Sequence, residues 1–221
     1  MVAFVQRLRL ILPSHHLLVD IDDGYADTEV ACHIAMLMES VGASGVILAD
    51  QARPRACGHT DGKKIMPIAD FMTKLKAVLK VSKNLFVVAR TDATDPDDAL
   101  NRVRLFAAAG ADAVLVDGLK DLNMLPRIKE AANGLPVCFN QLAGGKSPNA
   151  SLAKLSELGV SMVNYSTPCL FAAQESINQT LNQLKKEGGN LENLTHSSSN
   201  LKSCKGLLDE NYAWRKAGFS G

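Results

Sequence analysis

The sequence predicts an α/β fold in which parallel strands alternate with helices, and three observations carry the prediction. Short apolar runs begin at residues 17, 45, 85, 113, 136 and 162, one βα unit apart, with helical periodicity between them. The runs are continuously apolar rather than alternating, as expected of strands in a parallel sheet covered on both faces. All six end in polar residues, at Asp22, Asp50, Asp92, Asp117, Gln141 and Thr167. A doubly wound sheet stays open at this level, but polar carboxyl ends on every strand favour a TIM-type (β/α) barrel, whose sites lie at that end. A closed barrel has eight strands, so the expectation is an incomplete barrel of six βα units with a C-terminal helical tail.

Residues 1–12 place Phe4, Val5, Leu8, Ile11 and Leu12 at helical spacing, while Arg7 and Arg9 break the apolar stretch. The segment reads as an amphipathic helix rather than a secretory or membrane-spanning one, with a short mitochondrial presequence as the other reading. After Pro13, Leu17–Asp22 (LLVDID) is expected as a buried strand closed by the turn pair Asp23-Gly24. Thr28–Ser40 follows as a helix with Val30, Ile34, Leu37 and Val41 on one face, and Gly45–Asp50 (GVILAD) as the second strand. Then comes the loop Leu48–Lys64, LADQARPRACGHTDGKK, with two acids, a thiol, an imidazole and four cations but no apolar period. A loop of that length is either functional or mobile.

The same grammar recurs downstream: a helix over Ile68–Leu79, a strand over Leu85–Asp92, a helix over Pro96–Ala109 and a strand over Ala113–Gly118. A helix over Leu122–Ala132, a strand over Pro136–Gln141, a Gly-rich loop at Ala143–Ser147, a helix through Leu152–Leu158 and a strand over Met162–Thr167 complete it. GASGV, GADAV and GVSMV, each between a helix and a strand, echo one another and mark a repeated unit. Domains are expected at 1–184 (the partial barrel) and 185–221 (linker and helical tail), the latter with linker-like Gly188-Gly189 and Ser197–Asn200 and a helix near Leu207–Lys216. Tyr212 and Trp214 there could anchor to the barrel or to another subunit.

A chain of 221 residues that is 47% hydrophobic can bury a full core. Its net charge of +1, without any block of like charges, argues against a nucleic-acid partner and against an acidic membrane surface. Five cysteines without a CxxC pair or zinc spacing suit a reducing compartment, with the cytoplasm as the default location. Asn-x-Ser/Thr matches at Asn149, Asn178 and Asn193 carry no weight without a secretion signal.

Asp20 and Asp22, two apart on a strand, are expected to point the same way at the carboxyl end of the sheet, where two carboxylates suit a hard cation such as Mg²⁺. Helix capping or the Asp-Gly turn is the competing use, and Asp23 reads as the turn residue. Arg90 can clamp a substrate carboxylate, or form a buried structural ion pair. Asp117 and Asn140 end later strands and either hold a substrate oxygen or satisfy loop backbone. Cys57 has His59, Arg53 and Arg55 nearby, cations that would favour its thiolate. Cys32, Cys138 and Cys169 lie in apolar contexts and are expected to be inert, and His15 and His16 lie at the amino end of their strand, away from this chemistry.

Taken together, DIDDGY, DQARPRACGHTDGK, ARTDA and VCFN, in this order, resemble the isocitrate lyase/phosphoenolpyruvate mutase superfamily over Pro13–Leu184, with methylisocitrate lyase-like and carboxyphosphonate mutase-like members in view. The resemblance implies a TIM-type barrel with a swapped terminal helix in a homotetramer, and Mg²⁺ holding a 2-oxo acid or its enolate. It implies Asp20 and Asp22 as metal ligands, Cys57 as the acid/base with His59 beside it, Arg55 as the cation before the thiol, Arg90 on the substrate carboxylate, and Asp117 and Asn140 in the substrate site.

Three departures stand against this. Ala49 occupies the position of a usual glutamate, which Asp50 cannot replace because adjacent strand residues face opposite ways. Ala56 occupies the position of a usual basic residue. The chain also begins where the family's second helix ends, so its first two strands are expected to be absent. The expected activity is a Mg²⁺-dependent C–C lyase acting on a small isocitrate-like 2-hydroxy carboxylic acid. The alternatives are a truncated non-catalytic paralogue, and an in-family carboxyphosphonate or phosphoenolpyruvate mutase-type activity.

Overall fold

The computed structural model of the chain describes residues 1–191, 194 and 199–217, which divide into two compact units at Ser166/Thr167. The first unit opens with α1 (Val2–Ile11) and carries six parallel strands: β1 (Leu18–Asp20), β2 (Gly45–Ala49), β3 (Phe86–Thr91), β4 (Ala113–Val116), β5 (Val137–Leu142) and β6 (Met162–Ser166). Between them run α2 (Thr28–Ser40), α3 (Ile68–Val81), α4 (Pro96–Ala109), α5 (Met124–Ala131) and α6 (Leu152–Glu157).

The strands lie side by side in chain order, each parallel to the next, from β1 to β6. A doubly wound sheet would reverse its order at a switch point. The unbroken order leaves the incomplete TIM-type barrel.

Alternation along the strands sorts the apolar side chains into two layers. Val46, Leu48, Val87, Ala89, Val114, Val116, Val137 and Phe139 pack against helix residues such as Met38, Phe71, Val103, Phe106, Leu125 and Ile128. Phe71 and Phe106 meet edge to face with centroids 5.2 Å apart. Ile47, Val88, Ala113, Leu115 and Cys138 form a second cluster on the other face, with no helix residue in it. Helices on one face and strand side chains alone on the other are the layers of a barrel wall. The apolar runs are continuous because each strand is buried from both sides.

The three sequence echoes mark helix exits: Gly42, Gly110 and Gly159 have φ of +91°, +89° and +92°, the left-handed turn that glycine adopts without a Cβ clash. Two helix faces differ from expectation. On α1 only Val5 is fully buried, while Phe4 and Ile11 are exposed. Arg9, which interrupts the apolar stretch of that helix, holds its end: the guanidinium donates to the carbonyls of Gly42, Leu12, Pro13 and His15. On α2 the buried stripe is Ala31, Ala35 and Met38, and Val30 is exposed. Small residues won because the β1–α2 turn comes very close there: a Cβ on Gly24 would lie 2.5 Å from that of Ala31.

The second unit contains α7 (Pro168–Lys186) and α8 (Leu201–Lys216). The long α7 went unread in the sequence, and a boundary drawn after Leu184 falls inside its last turn. Cys169 on α7 is exposed rather than in the apolar setting expected of it. The tail helix begins earlier than Leu207, at a capping box in which Asn200 and Ser203 satisfy each other's amides. Tyr212 and Trp214 are exposed. Asn193, Ser197 and Ser198 lie outside the described residues. Among the described residues no helix is long and apolar enough to cross a membrane.

Candidate active site

Strand β1 ends at Asp20, and the chain then turns: Asp22 has φ +58°, and its amide donates to Asp20 Oδ1 at 2.8 Å. Strand alternation therefore does not align Asp20 with Asp22, as the sequence reading assumed; a left-handed turn and a side chain–backbone bond bring them together. Asp23 is the turn residue. Its buried carboxylate takes Arg53 at 2.8 and 2.9 Å and the Tyr25 amide at 3.1 Å, and Lys74 of α3 donates to the carbonyls of Asp23 and Ala26 at 2.7 Å. Asp20 keeps 44% of its side chain exposed, yet surrounding protein displaces enough water to raise its pKa against the pull of Arg90. The carboxylate of Asp22 is paired with Arg55.

The loop after β2 has a closed neck. Gln51 bridges to Ile65, the Ala52 amide donates to Lys64 O at 2.9 Å, and the Met66 amide to Asp50 O at 2.7 Å. Inside the neck the wholly buried Gln51 carboxamide takes the Ala56 amide at 3.0 Å and donates to its carbonyl at 2.8 Å. Ala56 thus has a backbone role independent of its side chain. Cys57 is exposed, with its carbonyl held by the amide and hydroxyl of Thr60 at 2.9 and 2.8 Å. The three cations read as its neighbours are engaged elsewhere: Arg53 on Asp23, Arg55 on Asp22, and His59 towards Asp117.

Gly58 and His59 turn inward. His59 Nδ1 accepts the Lys146 amide at 3.0 Å, which assigns the ring proton to Nε2, 3.2 Å from Asp117 Oδ1. Asn140 donates to the same Asp117 oxygen at 3.0 Å and accepts the Ser166 hydroxyl at 2.5 Å. Arg90 reaches the other Asp117 oxygen at 2.7 Å and lies across both oxygens of Asp92 at 3.0 and 3.1 Å. Its third edge faces Asp20 at 3.5 Å. Lys63, whose side chain is 4% exposed, donates to Gly58 O at 2.7 Å and to Asp92 Oδ1 at 3.2 Å.

Burial by itself would raise the Asp117 carboxyl, but the donors of His59, Arg90 and Asn140 outweigh it and hold it well below the usual range. Arg90 loses water by burial, and Asp92 and Asp117 still keep its guanidinium firmly charged. The thiol of Cys138, inside the barrel wall, is pushed up to about 12 by burial, in keeping with an inert role.

On the opposite face of the strand ends, Asp50 accepts the Asp92 amide at 2.9 Å and Arg102 of α4 at 3.1 Å. It therefore does point away from Ala49, which is fully buried and pairs in register with Arg90. Burial pushes Asp50 up to about 6 despite these partners.

Arg90, Asp117, Asn140 and His59 are thus brought into one contact network, with Asp20 at its rim, Asp22 and Arg55 paired beside it, and Cys57 on the exposed turn of the loop. Lys63, Asp92 and Ser166 belong to the network and were assigned no role from sequence. Asp92 was reachable, since it has the strand parity of Arg90; Lys63 had no such signal. Among the described residues no group of three or more His, Cys, Asp or Glu converges as a metal cage. Mg²⁺ needs only one or two carboxylates beside water and substrate oxygens, and the adjoining, solvent-reaching Asp20 and Asp22 fit that demand.

Known proteins resemble the chain in sequence and in fold. The chain is 33% identical over 181 residues to 2-methylisocitrate lyase of Bacillus subtilis, an alignment covering 80% of this chain and 60% of that protein. The structure of 2,3-dimethylmalate lyase superposes with a TM-score of 0.85 over 100% of this chain and 77% of that one, at 23% identity. A phosphonopyruvate hydrolase complex with oxalate and Mg²⁺ superposes with a TM-score of 0.77 over 100% and 79%, at 20% identity. The chain spans about 60% of the length of the curated relatives it matches. Residues 1–185 match the family model described as phosphoenolpyruvate phosphomutase, and with the DIDDGY, CGH and RTDA residues in the network above, the chain belongs to that family, within the phosphoenolpyruvate mutase/isocitrate lyase superfamily.

Proposed function

We propose that this chain carries the site of a Mg²⁺-dependent carbon–carbon lyase that splits a small isocitrate-like 2-hydroxy carboxylic acid into a 2-oxo acid and a second carboxylic acid. The observation that carries the reading is the network itself: a charged arginine, a histidine of assigned tautomer and an asparagine meet on one low-pKa aspartate, beneath a loop bearing an accessible thiol. Such a preorganised set of donors suits carboxylate and enolate oxygens.

In this reading Asp20 and Asp22 hold Mg²⁺, which when bound supplies positive charge against the substrate's oxygens. Arg90 offers a substrate carboxylate the edge that now faces Asp20, its other donors being committed to Asp92 and Asp117. Asn140 and the His59–Asp117 pair orient the substrate and keep the buried charges satisfied. In the bond-breaking step the 2-hydroxyl passes its proton to solvent water, its oxygen becomes the oxo group, and the C–C bond electrons pass to the neighbouring carbon as a carboxylate-stabilised enolate. The Cys57 thiol returns a proton to that carbon. The unit works as a homotetramer in the cytoplasm.

The relatives' names support the chemistry, and the magnesium–oxalate complex of a protein with the same fold supports the cation. The test is cleavage of isocitrate, 2-methylisocitrate and 2,3-dimethylmalate with and without Mg²⁺, by wild-type chain and Cys57→Ser. Mg²⁺-dependent release of a 2-oxo acid that falls at least about 100-fold in the variant supports the reading. No cleavage together with no Mg²⁺ or oxalate binding sinks it in favour of a non-catalytic member, a choice to which Ala49 is relevant because it supplies no carboxylate beside Arg90.

A further inference from the structure

Four acids converge at the site, Asp20, Asp22, Asp92 and Asp117, against three cations, Arg55, Arg90 and Lys63. With the His59 proton on Nε2 the ring adds no charge when its Nδ1 accepts an amide, so the cluster carries a net charge of −1. A carboxylate meets repulsion there, and a divalent cation meets attraction. Binding Mg²⁺ would turn −1 into +1 and reverse both preferences.

The two acids that would take the cation are also the two of the four that reach solvent, with side chains 44% and 36% exposed against 0% and 2% for Asp92 and Asp117. Arg90 approaches Asp20 at 3.5 Å, its longest ion pair, while its contacts with Asp92 and Asp117 are 3.0 and 2.7 Å. Arg55 pairs with a carboxylate that keeps 36% of its side chain exposed, and its own Nε is buried without any acceptor. A buried donor left unpaired is costly, so the present position of Arg55 is not one in which all its donors are used. By contrast, Asp23 and Asp50 each hold an arginine and a backbone amide in deep burial, and no such exchange is open to them.

We propose that Arg55 and the outer edge of Arg90 are stand-in cations, which hold Asp22 and Asp20 until Mg²⁺ displaces them and are thereby released to bind the carboxylates of a dicarboxylic acid. This rests on the Mg²⁺ reading above and deepens it. It makes the acid's binding conditional on the cation, and it gives Arg55 a substrate-facing role, two residues from Cys57, only in the loaded state.

Calorimetric titrations of the full chain test this with Mg²⁺ alone and with oxalate as the dicarboxylate probe. Wild-type protein should bind oxalate at least roughly tenfold more tightly with Mg²⁺ than without it. Removing the competing charge in Arg55→Met should tighten Mg²⁺ alone by roughly three- to tenfold, the scale of one charge about 4 Å away in water, and should weaken oxalate in the presence of Mg²⁺. Arg55→Lys should bind Mg²⁺ as wild type does, and Arg55→Gln serves in place of Arg55→Met if circular dichroism shows that the latter is unfolded. Mg²⁺ affinity that is unchanged or weaker in Arg55→Met, or oxalate affinity indifferent to Mg²⁺ in wild type, overturns the exchange while leaving the lyase reading intact. Wild-type protein that binds no Mg²⁺ overturns both.

Discussion

Gly58 lies directly over Asp117: a Cβ on Gly58 would stand 2.0 Å from Asp117 Oδ2, and also 2.5 Å from Asp92 Oδ1 and 2.8 Å from the Arg90 guanidinium. The glycine between Cys57 and His59 is there because any side chain would enter the charged cluster. Gly58→Ala should therefore lift the loop, lower the thermal midpoint by the equivalent of about 1–3 kcal/mol, and expose His59. Hydrogen exchange over residues 52–64 checks it, and unchanged protection would contradict the close packing.

Gly145 stands in the same relation to the imidazole from the other side, where a Cβ would lie 2.6 Å from His59 Nδ1. Gly145→Ala should push the ring off the Lys146 amide and free its tautomer. Long-range proton–nitrogen spectra of the imidazole should show a fixed Nε2–H form in wild type and an averaged one in the variant.

Lys63 is the strut of the loop, holding Gly58 O and reaching Asp92, 29 residues further along the sequence. Lys63→Met removes one partner of a buried ion pair, and a loss of about 3–5 kcal/mol in denaturant-measured stability is expected. A loss below about 1 kcal/mol would mean that the cluster does not need this charge.

Asp50 contributes a pH dependence whose sign follows from the direction of its shift. Burial raises its folded-state pKa from 3.8 to about 6, so between these values the folded chain holds a proton that the unfolded chain has lost. Its contribution to stability is thus fully present below about pH 4 and is lost as pH rises through about 6, by on the order of 3 kcal/mol. Asp50→Asn should remove that slope. The stability difference between wild type and variant, measured by urea unfolding from pH 4 to 7, should move against wild type as pH rises, and a flat difference would refute the assignment.

Much of the site was legible before the fold was known. Arg90, Asp117 and Asn140 end apolar runs, and residue parity along a strand decides which face each side chain takes, so local pattern was enough to place them together. Asp50 was correctly set on the opposite face from Ala49 by the same rule. Parity failed at Asp22 because the strand had already ended and the residue sits in a left-handed turn. The long α7 was missed for a related reason: it presents no fully buried stripe, and without one the helical period is weak evidence.

By itself the sequence determined the alternation of strands and helices, the glycine exits, the polar strand ends and the membership of a family, because each depends on residues near one another in the chain or on motifs in a set order. Only the tertiary structure decided which charge meets which. Lys63 on Asp92, the Lys146 amide on His59, Arg55 on Asp22 and the engagement of nearly every Arg90 donor join segments that are far apart in sequence or meet across a turn. Ion pairs and hydrogen bonds are set by distances of a few ångströms in space, and hydrophobic periodicity carries no record of them.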